Sequence, residues 1–340
     1  MAMAESGEKE FISIVMPVYR EAAHIGEVLK DVHAALTQAD VRFEIVLVED
    51  GSPDDTWKAL VEQSKIYPMM RAARLSRIFG KEHALCAGLE MARGDAVIVM
   101  DADGQHPPAI LPKIISTWRE TRADIVECTK IDRGEETLFS KVAAGMFYWL
   151  WNKLSGFEMR GASDYKLLSR PAVDAYLEMD ERNVFFRGMT AWLGFTREQV
   201  PFEVAMRAGG SSSWSILHRV RLALTGISGF SSLPLQFVTF TGLLFLLFSV
   251  IFGFYTLILQ LVGHAATGFS TVILLLLVIG SLLMISLGII GIYLARIYDE
   301  IKGRPRYVIS QRIEPKESAI LRRRKNDSPA QPLFEMDDNV

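Results

Sequence analysis

Short apolar runs alternate with segments of helical periodicity over the first half of the chain. Apolar runs that end in Asp, Gly or Ser predict buried strands, and apolar residues spaced three and four apart predict helices. Strands that alternate with helices predict an α/β fold with a mostly parallel sheet. The predicted strands are residues 12–16, 44–48, 96–100 and 123–129, and the predicted helices are residues 22–36, 54–67, 81–92 and 108–120.

The hydrophobic pattern changes in the second half, where residues 222–295 contain no Asp, Glu, Lys or Arg. A membrane span needs about 20 apolar residues, and this stretch holds two spans, at 233–262 and 271–295, joined by a short uncharged turn. A buried helical hairpin in a globular core is the alternative. Because the spans include runs that are apolar on all sides, we expect lipid around them. The α/β domain is thus expected to precede a two-helix transmembrane hairpin.

Basic residues flank both spans, and the turn between the spans has none. The positive-inside rule therefore predicts a multi-pass protein of the inner (plasma) membrane, with its α/β domain and both termini in the cytoplasm. The polar, acidic start before Phe11 gives no sign of a secretory signal. The flanking basic residues are His218, Arg219 and Arg221 before the first span and Arg296, Lys302, Arg304 and Arg306 after the second.

Two segments have the composition of helices that lie in the headgroup plane. Residues 139–154 are rich in aromatic side chains, and residues 214–230 carry basic residues on one side and apolar residues on the other. The polar tail from about Gln311 is expected to be partly disordered. The expected segments are 1–10, a disordered N-terminus; 11–213, a cytosolic α/β domain; 214–230, an amphipathic interfacial helix; 231–297, the two spans; and 298–340, a cytosolic, partly disordered C-terminal segment.

Composition narrows the classes of function. Half of the 340 residues are hydrophobic and 23% are charged, which excludes an intrinsically disordered chain. The formal net charge of −3 offers no basic excess for nucleic acid. The two cysteines, Cys86 and Cys128, are too few for a disulfide framework and lack the spacing of a zinc site, so we expect reduced thiols.

Acidic and polar residues follow three of the predicted strands. The carboxyl ends of parallel strands meet at one edge of a sheet, where α/β proteins bind their ligands. In an extended stretch Asp101, Asp103 and Gln105 project to one side, because side chains alternate. Three side-chain oxygens on one side suit a hard divalent cation such as Mg²⁺ or Mn²⁺. The strand ends read PVYRE at 17–21, VEDGS at 48–52 and DADGQHPP at 101–108.

These strand ends resemble those of glycosyltransferase family 2, which implies the GT-A fold, an α/β fold with a Rossmann-like, mixed and mostly parallel sheet. More narrowly they resemble the polyprenyl-phosphate glycosyltransferases, which include bactoprenol glucosyltransferases and dolichyl-phosphate mannose synthase. The resemblance covers about residues 10–307, and the paired C-terminal spans match the bactoprenol-linked branch. The further motifs that carry it read SRIFGKEHALCAGLEMARGD at 76–95, GASDYKLLSR at 161–170, ERNVFFRG at 181–188 and RAGGSSSW at 207–214.

The resemblance implies three groups of site residues. The first lines the pocket of the donor nucleotide, the second holds the metal together with the nucleotide, and the third lies at the sugar and the phosphates, where the bidentate fork of arginine is suited to phosphate. Asp103 and the third group are the expected catalytic residues. The first group is Pro17, Tyr19, Glu21 and Asp50; the second is Asp101, Asp103 and Gln105; the third is Asp164, Arg187 and Arg207.

The chain departs from the family pattern at two informative positions. Ser213 stands where the family usually has a lysine that contacts phosphate, and Lys81 or Lys166 is the candidate replacement. His106 stands where the family usually has Asp. It is either a residue that tunes the metal motif or a histidine in a surface turn, and we favour the surface turn.

The resemblance implies inverting transfer of one hexose from a nucleotide sugar to a membrane polyprenyl phosphate, with Mg²⁺ or Mn²⁺ as cofactor. UDP-glucose and undecaprenyl phosphate are the expected substrates, in cell-envelope glycan modification. GDP-mannose, a UDP-N-acetylhexosamine and an aminopentose donor stay open. The resemblance also implies a homo-oligomer, plausibly a tetramer.

Two rival functions are disfavoured by the sequence. A processive polysaccharide synthase usually has a QxxRW-type motif and more spans than the two found here. A non-catalytic membrane scaffold built on a decayed transferase would show degenerate metal ligands. Asp101, Asp103 and Gln105 are intact.

Overall fold

A computed structural model describes residues 9–130, 163–203, 233–262 and 268–315. Residues 1–8, the two predicted interfacial segments, the site residue Arg207 and the departure at Ser213 lie outside the described residues.

One eight-stranded sheet organises the described α/β domain, in the order β7-β5-β6-β4-β1-β2-β3-β8. The strands β4, β1, β2 and β3 are parallel neighbours, and β5 is parallel to β7. Strand β6 runs antiparallel to both of its neighbours, and β8 runs antiparallel to β3. The predicted α/β fold with a mixed, mostly parallel sheet is confirmed. The strands are β1 Phe11–Val18, β2 Arg42–Glu49, β3 Met70–Leu75, β4 Ala96–Val99, β5 Ile125–Lys130, β6 Lys166–Ser169, β7 Arg197–Phe202 and β8 Ile309–Ile313.

Helices cover both faces of this sheet. Neighbouring residues of β1 point to opposite sides, so that Ile14 packs in the cluster that contains Leu29 of α1, and Val15 packs in the cluster that contains Leu85 of α3. Burial on both faces explains why β1 reads as a nearly continuous apolar run. The helices are α1 Ile25–Gln38, α2 Thr56–Ile66, α3 Lys81–Met91, α4 Leu111–Thr121, α5 Arg170–Glu178, α6 Phe186–Trp192, α7 Leu233–Leu261 and α8 Phe269–Ile301, with a 3-10 turn at Pro108–Ile110 before α4.

Helices α7 and α8 are long and apolar enough to cross a membrane. Their candidate spans are Leu235–Thr256 and Val278–Ile301, and neither is buried against the rest of the molecule. A core helix of a soluble protein would be buried, so these exposed apolar surfaces fit the predicted hairpin. Helix α8 has 33 residues and is about 50 Å long at 1.5 Å per residue. That length exceeds the hydrocarbon thickness of about 30 Å.

After α8 the chain returns to the α/β domain and adds β8 to the edge of the sheet. Strand β8 continues to Ile313, so the first residues of the polar tail that begins at about Gln311 belong to the sheet. The polar residues of this short strand are exposed, whereas Ile309 and Ile313 pack against the core clusters. A half-buried edge strand of five residues contributes too few apolar positions for its pattern to be distinguished from a polar tail.

Candidate active site

The loops after β1 and β2 meet at the carboxyl edge of the sheet and are tied to each other. The backbone N–H of Asp50 donates to the carbonyl of Val18 at 3.0 Å, and that of Arg20 donates to Ser52 Oγ at 2.9 Å. Tyr19 is 39% exposed at this edge. The edge carries the predicted nucleotide-pocket residues, which are Pro17, Tyr19, Glu21 and Asp50.

Asp50 supports the loop that leads into α3. Its two carboxylate oxygens accept hydrogen bonds from the backbone N–H groups of Phe79, at 2.7 Å, and Gly80, at 2.8 Å. Burial raises the pKa of this carboxyl group, although the two backbone donors oppose the shift. Because α3 begins at Lys81, Asp50 helps to place the lysine at the same edge.

Four charged side chains form a hydrogen-bonded group at this edge, called here the charged cluster: Lys81, Asp101, Asp164 and Arg187. Lys81 Nζ donates to Asp101 Oδ2 at 2.8 Å and to Asp164 Oδ2 at 2.7 Å. Arg187 donates two hydrogen bonds to the same Asp164, from Nε to Oδ1 at 2.7 Å and from a terminal nitrogen to Oδ2 at 2.9 Å. Loops and helices that are far apart in sequence thus bring Lys81 together with predicted residues of the second group, which holds the metal and the nucleotide, and of the third group, which lies at the sugar and the phosphates.

Within the charged cluster, each group stabilises the ionised form of its partners. Burial alone would raise the pKa of Asp164, but the charges of Lys81 and Arg187 hold it well below its usual range. Burial would lower the pKa values of Lys81 and Arg187, and their carboxylate partners raise both of them instead. Asp164 is therefore an ionised carboxylate with two cationic partners, which makes it a poor proton acceptor at neutral pH.

Glu82 joins α3 to the helix that carries Arg187. Its Oε2 accepts a hydrogen bond from the backbone N–H of Phe186, the first residue of α6, at 2.8 Å. Burial, together with the nearby charge of Asp164, raises the pKa of Glu82 to about 7. The N-terminus of α3 thus contacts the charged cluster through Lys81 and the start of α6 through Glu82.

The residues of the predicted metal site offer the oxygen donors that a hard cation takes. Lys81 Nζ lies 2.6 Å from Asp101 Oδ1, yet this buried oxygen has no hydrogen-bond partner of correct geometry. Asp103 Oδ1 accepts from the backbone N–H of Gln105 at 3.0 Å, which folds the loop on itself. Within the described ranges no three His, Cys, Asp or Glu side chains form a metal cluster on their own. The amide oxygen of Gln105 would therefore have to complete the set of ligands.

The favoured position of His106 in a surface turn is wrong. His106 is only 5% exposed, and its Nδ1 accepts a hydrogen bond from the backbone N–H of Asp101 at 2.8 Å. Its ring stacks on that of Tyr165, with 4.8 Å between the ring centroids, and the Tyr165 hydroxyl donates to the carbonyl of Pro107 at 3.2 Å. The loop that contains Asp101 and Asp103 is thus fastened to the residue next to Asp164.

Of the two lysines considered as replacements for the missing phosphate contact, only Lys81 lies in the cluster. Lys166 is wrong for that role, because it is 2% exposed and its ammonium group is bonded within the domain to Glu127 and Thr190.

Relatives of known class match the chain over most of its length. A family model described as glycosyl transferase family 2 matches residues 13–176. An uncharacterised glycosyltransferase of Synechocystis is 35% identical over 88% of this chain and 94% of that protein. The chain belongs to glycosyltransferase family 2. A prophage-derived bactoprenol glucosyl transferase of Shigella flexneri is 34% identical over 88% of this chain and 97% of that protein.

The family assignment agrees with the fold described above, so the expectation of a GT-A-type α/β domain followed by two apolar helices is confirmed. Among solved structures, a mannosyltransferase of Pyrobaculum calidifontis in complex with GDP-Man and Mn²⁺ is 18% identical, with a TM-score of 0.47, over 66% of this chain and 64% of that chain.

Sequence reasoning missed three polar residues that lie next to the charged cluster or to the side chains that support it. Glu82, Glu127 and Thr190 received no role, although all three contact the charged cluster or its supports. Glu82 had a usable signal, because it follows Lys81 at the start of a predicted helix. Glu127 lies within an apolar strand and Thr190 within a short helix, and only the folded structure shows that they face the same lysine.

Proposed function

We propose that this protein transfers one hexose from a nucleotide sugar, with UDP-glucose the expected donor, to a membrane polyprenyl phosphate, with undecaprenyl phosphate the expected acceptor. The observation that carries the proposal is the pair of cations, Lys81 and Arg187, that converge on Asp164 beside the Asp101 loop. Such a cluster suits a reaction in which two phosphate-bearing substrates meet. The name of the Shigella relative, bactoprenol glucosyl transferase, supports the choice of substrates.

In the proposed reaction an oxygen of the acceptor phosphate attacks the anomeric carbon. The bond from that carbon to the nucleoside diphosphate breaks, and the configuration inverts. Because the second pKa of a phosphate monoester is about 6, the acceptor is largely a dianion at neutral pH and needs little general-base help. The low pKa of Asp164 fits this requirement. Asp164 therefore orients Lys81 and Arg187 toward the phosphates, with Arg207 as a further predicted contact.

The proposal includes a divalent metal ion, Mg²⁺ or Mn²⁺. Asp101, Asp103 and Gln105 would hold it, and when bound it would stabilise the negative charge of the departing diphosphate. Pro17, Tyr19, Glu21 and Asp50 would line the nucleotide pocket. The geometry of the loops after β1 and β2 supports this assignment, since both loops lie at the same edge as Asp101.

We propose further that α7 and α8 span the plasma membrane, with the catalytic domain and both termini in the cytoplasm. The end of α8 supports this orientation, because Glu300 accepts a hydrogen bond from the backbone N–H of Arg182 at 2.8 Å. The catalytic domain therefore lies on the same side as the basic end of α8. A homo-oligomer, with a tetramer expected from the family resemblance, belongs to the proposal, and native mass spectrometry in detergent would measure it.

A donor screen tests the proposal. Purified protein is incubated with undecaprenyl phosphate, Mg²⁺ or Mn²⁺ and one labelled nucleotide sugar at a time, and label is counted in the lipid extract. We expect one donor, UDP-glucose, to give labelled lipid that disappears with EDTA. Asp103→Ala should abolish labelling, while Asp31→Ala, which removes an exposed carboxylate on α1, should keep it. Absence of labelled lipid with every donor, or full activity of Asp103→Ala, would refute the proposal.

A further inference from the structure

Two parallel contacts join α6 to the segment that enters β6. In the first, Arg187 donates two hydrogen bonds to Asp164. In the second, Lys166 Nζ donates to Thr190 Oγ1 at 3.1 Å. Asp164 and Lys166 are two residues apart, and Arg187 and Thr190 are three residues apart on a helix, so each pair can face the same way. The second contact therefore repeats the first one, about one helical turn further from the site.

The second contact belongs to a buried ionic network. Lys166 Nζ also donates to Glu127 Oε1 at 2.9 Å, and Glu127 is the cross-strand partner of Lys166 in the β5–β6 pairing. The lysine side chain is 2% exposed and the glutamate side chain 9%. Near them, the Phe186 ring centroid is 5.3 Å from Lys166 Nζ. Because both side chains are almost fully buried, we assign them no direct contact with substrate.

A buried ion pair adds little stability compared with apolar residues of the same volume, because its desolvation cost offsets its attraction. Its best-attested use is to fix the register of packed elements. Thr190 is suited to this use. Its hydroxyl lies 2.9 Å from the carbonyl of Phe186 in the preceding turn and can donate to it, which turns the oxygen lone pairs toward Lys166.

We propose that Lys166, Glu127 and Thr190 are positioning residues, which set the register of α6 on β6 so that Arg187 meets Asp164 with both Nε and one terminal nitrogen. The inference rests on the proposed function, since the rate it controls is that of sugar transfer. Groups that contact phosphates must be held to within about 0.5 Å of the productive geometry. A hydrogen-bonded network behind the cluster supplies that constraint.

Thr190→Val tests the proposal, because valine has nearly the same shape as threonine and lacks only the hydroxyl. We expect kcat for lipid labelling to fall about tenfold, as is typical when the support of a functional group is removed. Thr190→Ser keeps the hydroxyl and should restore most of the rate. Thr117→Val is the matched control, since Thr117 makes the same bond to a carbonyl four residues earlier, to Lys113 at 2.9 Å, on an exposed face of α4.

A double-mutant comparison separates positioning from a general loss of stability. If Thr190 acts through Arg187, Thr190→Val should lower the rate less than twofold in an Arg187→Ala background. A further tenfold loss in that background would overturn the proposal, and so would an unchanged rate for Thr190→Val alone. Hydrogen exchange of the backbone amides of α6 measures how firmly this helix is held and does not depend on sugar transfer. Faster exchange in Thr190→Val than in Thr190→Ser is expected, and equal exchange would overturn the inference. A wild-type protein that labels no lipid would count against the proposed function alone.

Discussion

His106 offers a direct test of how the loop that carries the proposed metal ligands, Asp101, Asp103 and Gln105, is held in place. Two substitutions separate its two contacts. His106→Phe keeps a ring that can stack on Tyr165 but removes the acceptor for the backbone N–H of Asp101. His106→Asn keeps an acceptor near the position of Nδ1 and removes most of the ring.

The expected magnitudes follow from these contacts. A partly buried N–H that loses its acceptor costs about 1–3 kcal/mol, whereas loss of an aromatic pair costs about 0.5–1.5 kcal/mol. The Asp101 bond is partly buried, so we take the lower part of the first range, about 1–2 kcal/mol. If this cost falls on the ordering of the loop, the binding-competent fraction decreases about 5- to 30-fold. Near the middle of these two ranges, at about 1.5 and about 1 kcal/mol, we expect His106→Phe to bind metal about tenfold more weakly than the wild type and His106→Asn to bind it about fivefold more weakly.

Electron paramagnetic resonance of free Mn²⁺ measures this affinity without any turnover. The detergent-purified protein is titrated with Mn²⁺, and the signal of the free ion gives the dissociation constant. His33→Phe is the matched control, because His33 also packs against aromatic rings, those of Phe43 and Tyr67, on a different part of the domain. Wild-type affinity in His106→Phe, or a larger loss in His106→Asn than in His106→Phe, would refute the reasoning.

Two further predictions concern stability and are read from thermal unfolding in detergent. Because the folded pKa of Glu82 is raised to about 7 from an ordinary value of 4.5, the folded state holds its proton over a range in which the unfolded state releases it. The melting temperature of the wild type should therefore fall relative to that of Glu82→Gln as pH rises from about 4.5 to about 7. Above about pH 7 the difference between the two proteins should stay constant. A difference that does not change with pH would contradict the assignment. Gly94→Ala should destabilise the domain more than Gly88→Ala, because its added Cβ would lie 2.6 Å from the backbone N of Ser13, whereas the atom nearest to a Cβ at Gly88 is a side-chain methyl of Val15. Equal melting temperatures for the two variants would contradict this comparison.

The central strands could be predicted from sequence because they are apolar on both faces. The short length and the β-branched content of the β1, β2 and β4 runs favour strands over buried helix segments. Strand β3 was missed because Arg71 interrupts its apolar run, and only the structure shows that this buried arginine pairs with Glu314, at 2.6 Å, after the two apolar helices. Strand β6 was missed for a similar reason, since its four residues begin with the buried Lys166.

The site could be predicted only as far as its position at the ends of strands. That rule, with the family resemblance, indicated Asp101, Asp164 and Arg187 as neighbours of a common site. It could not indicate the partners of His106 and Lys166, because burial of each depends on a residue remote in sequence, such as Phe202 of β7 near the His106 ring. A polar residue beside a motif is expected to be exposed until a buried partner is known.

The chain that leaves α8 contacts both segments that supply cations to Asp164. Arg306 donates to the carbonyl of Met179 in the loop before α6, and α6 carries Arg187. The carbonyl of Val308 accepts from the backbone N–H of Ser76 at 2.8 Å, at the start of the loop that leads to Lys81. Strand β8 then continues along β3. The same polypeptide that ends the second apolar helix therefore supports both arms of the charged cluster, so the cluster has a structural connection to that helix through a few hydrogen bonds. Neither contact involves Lys81 or Arg187 directly. The positions of these two side chains therefore depend on α3 and α6, the helices that carry them.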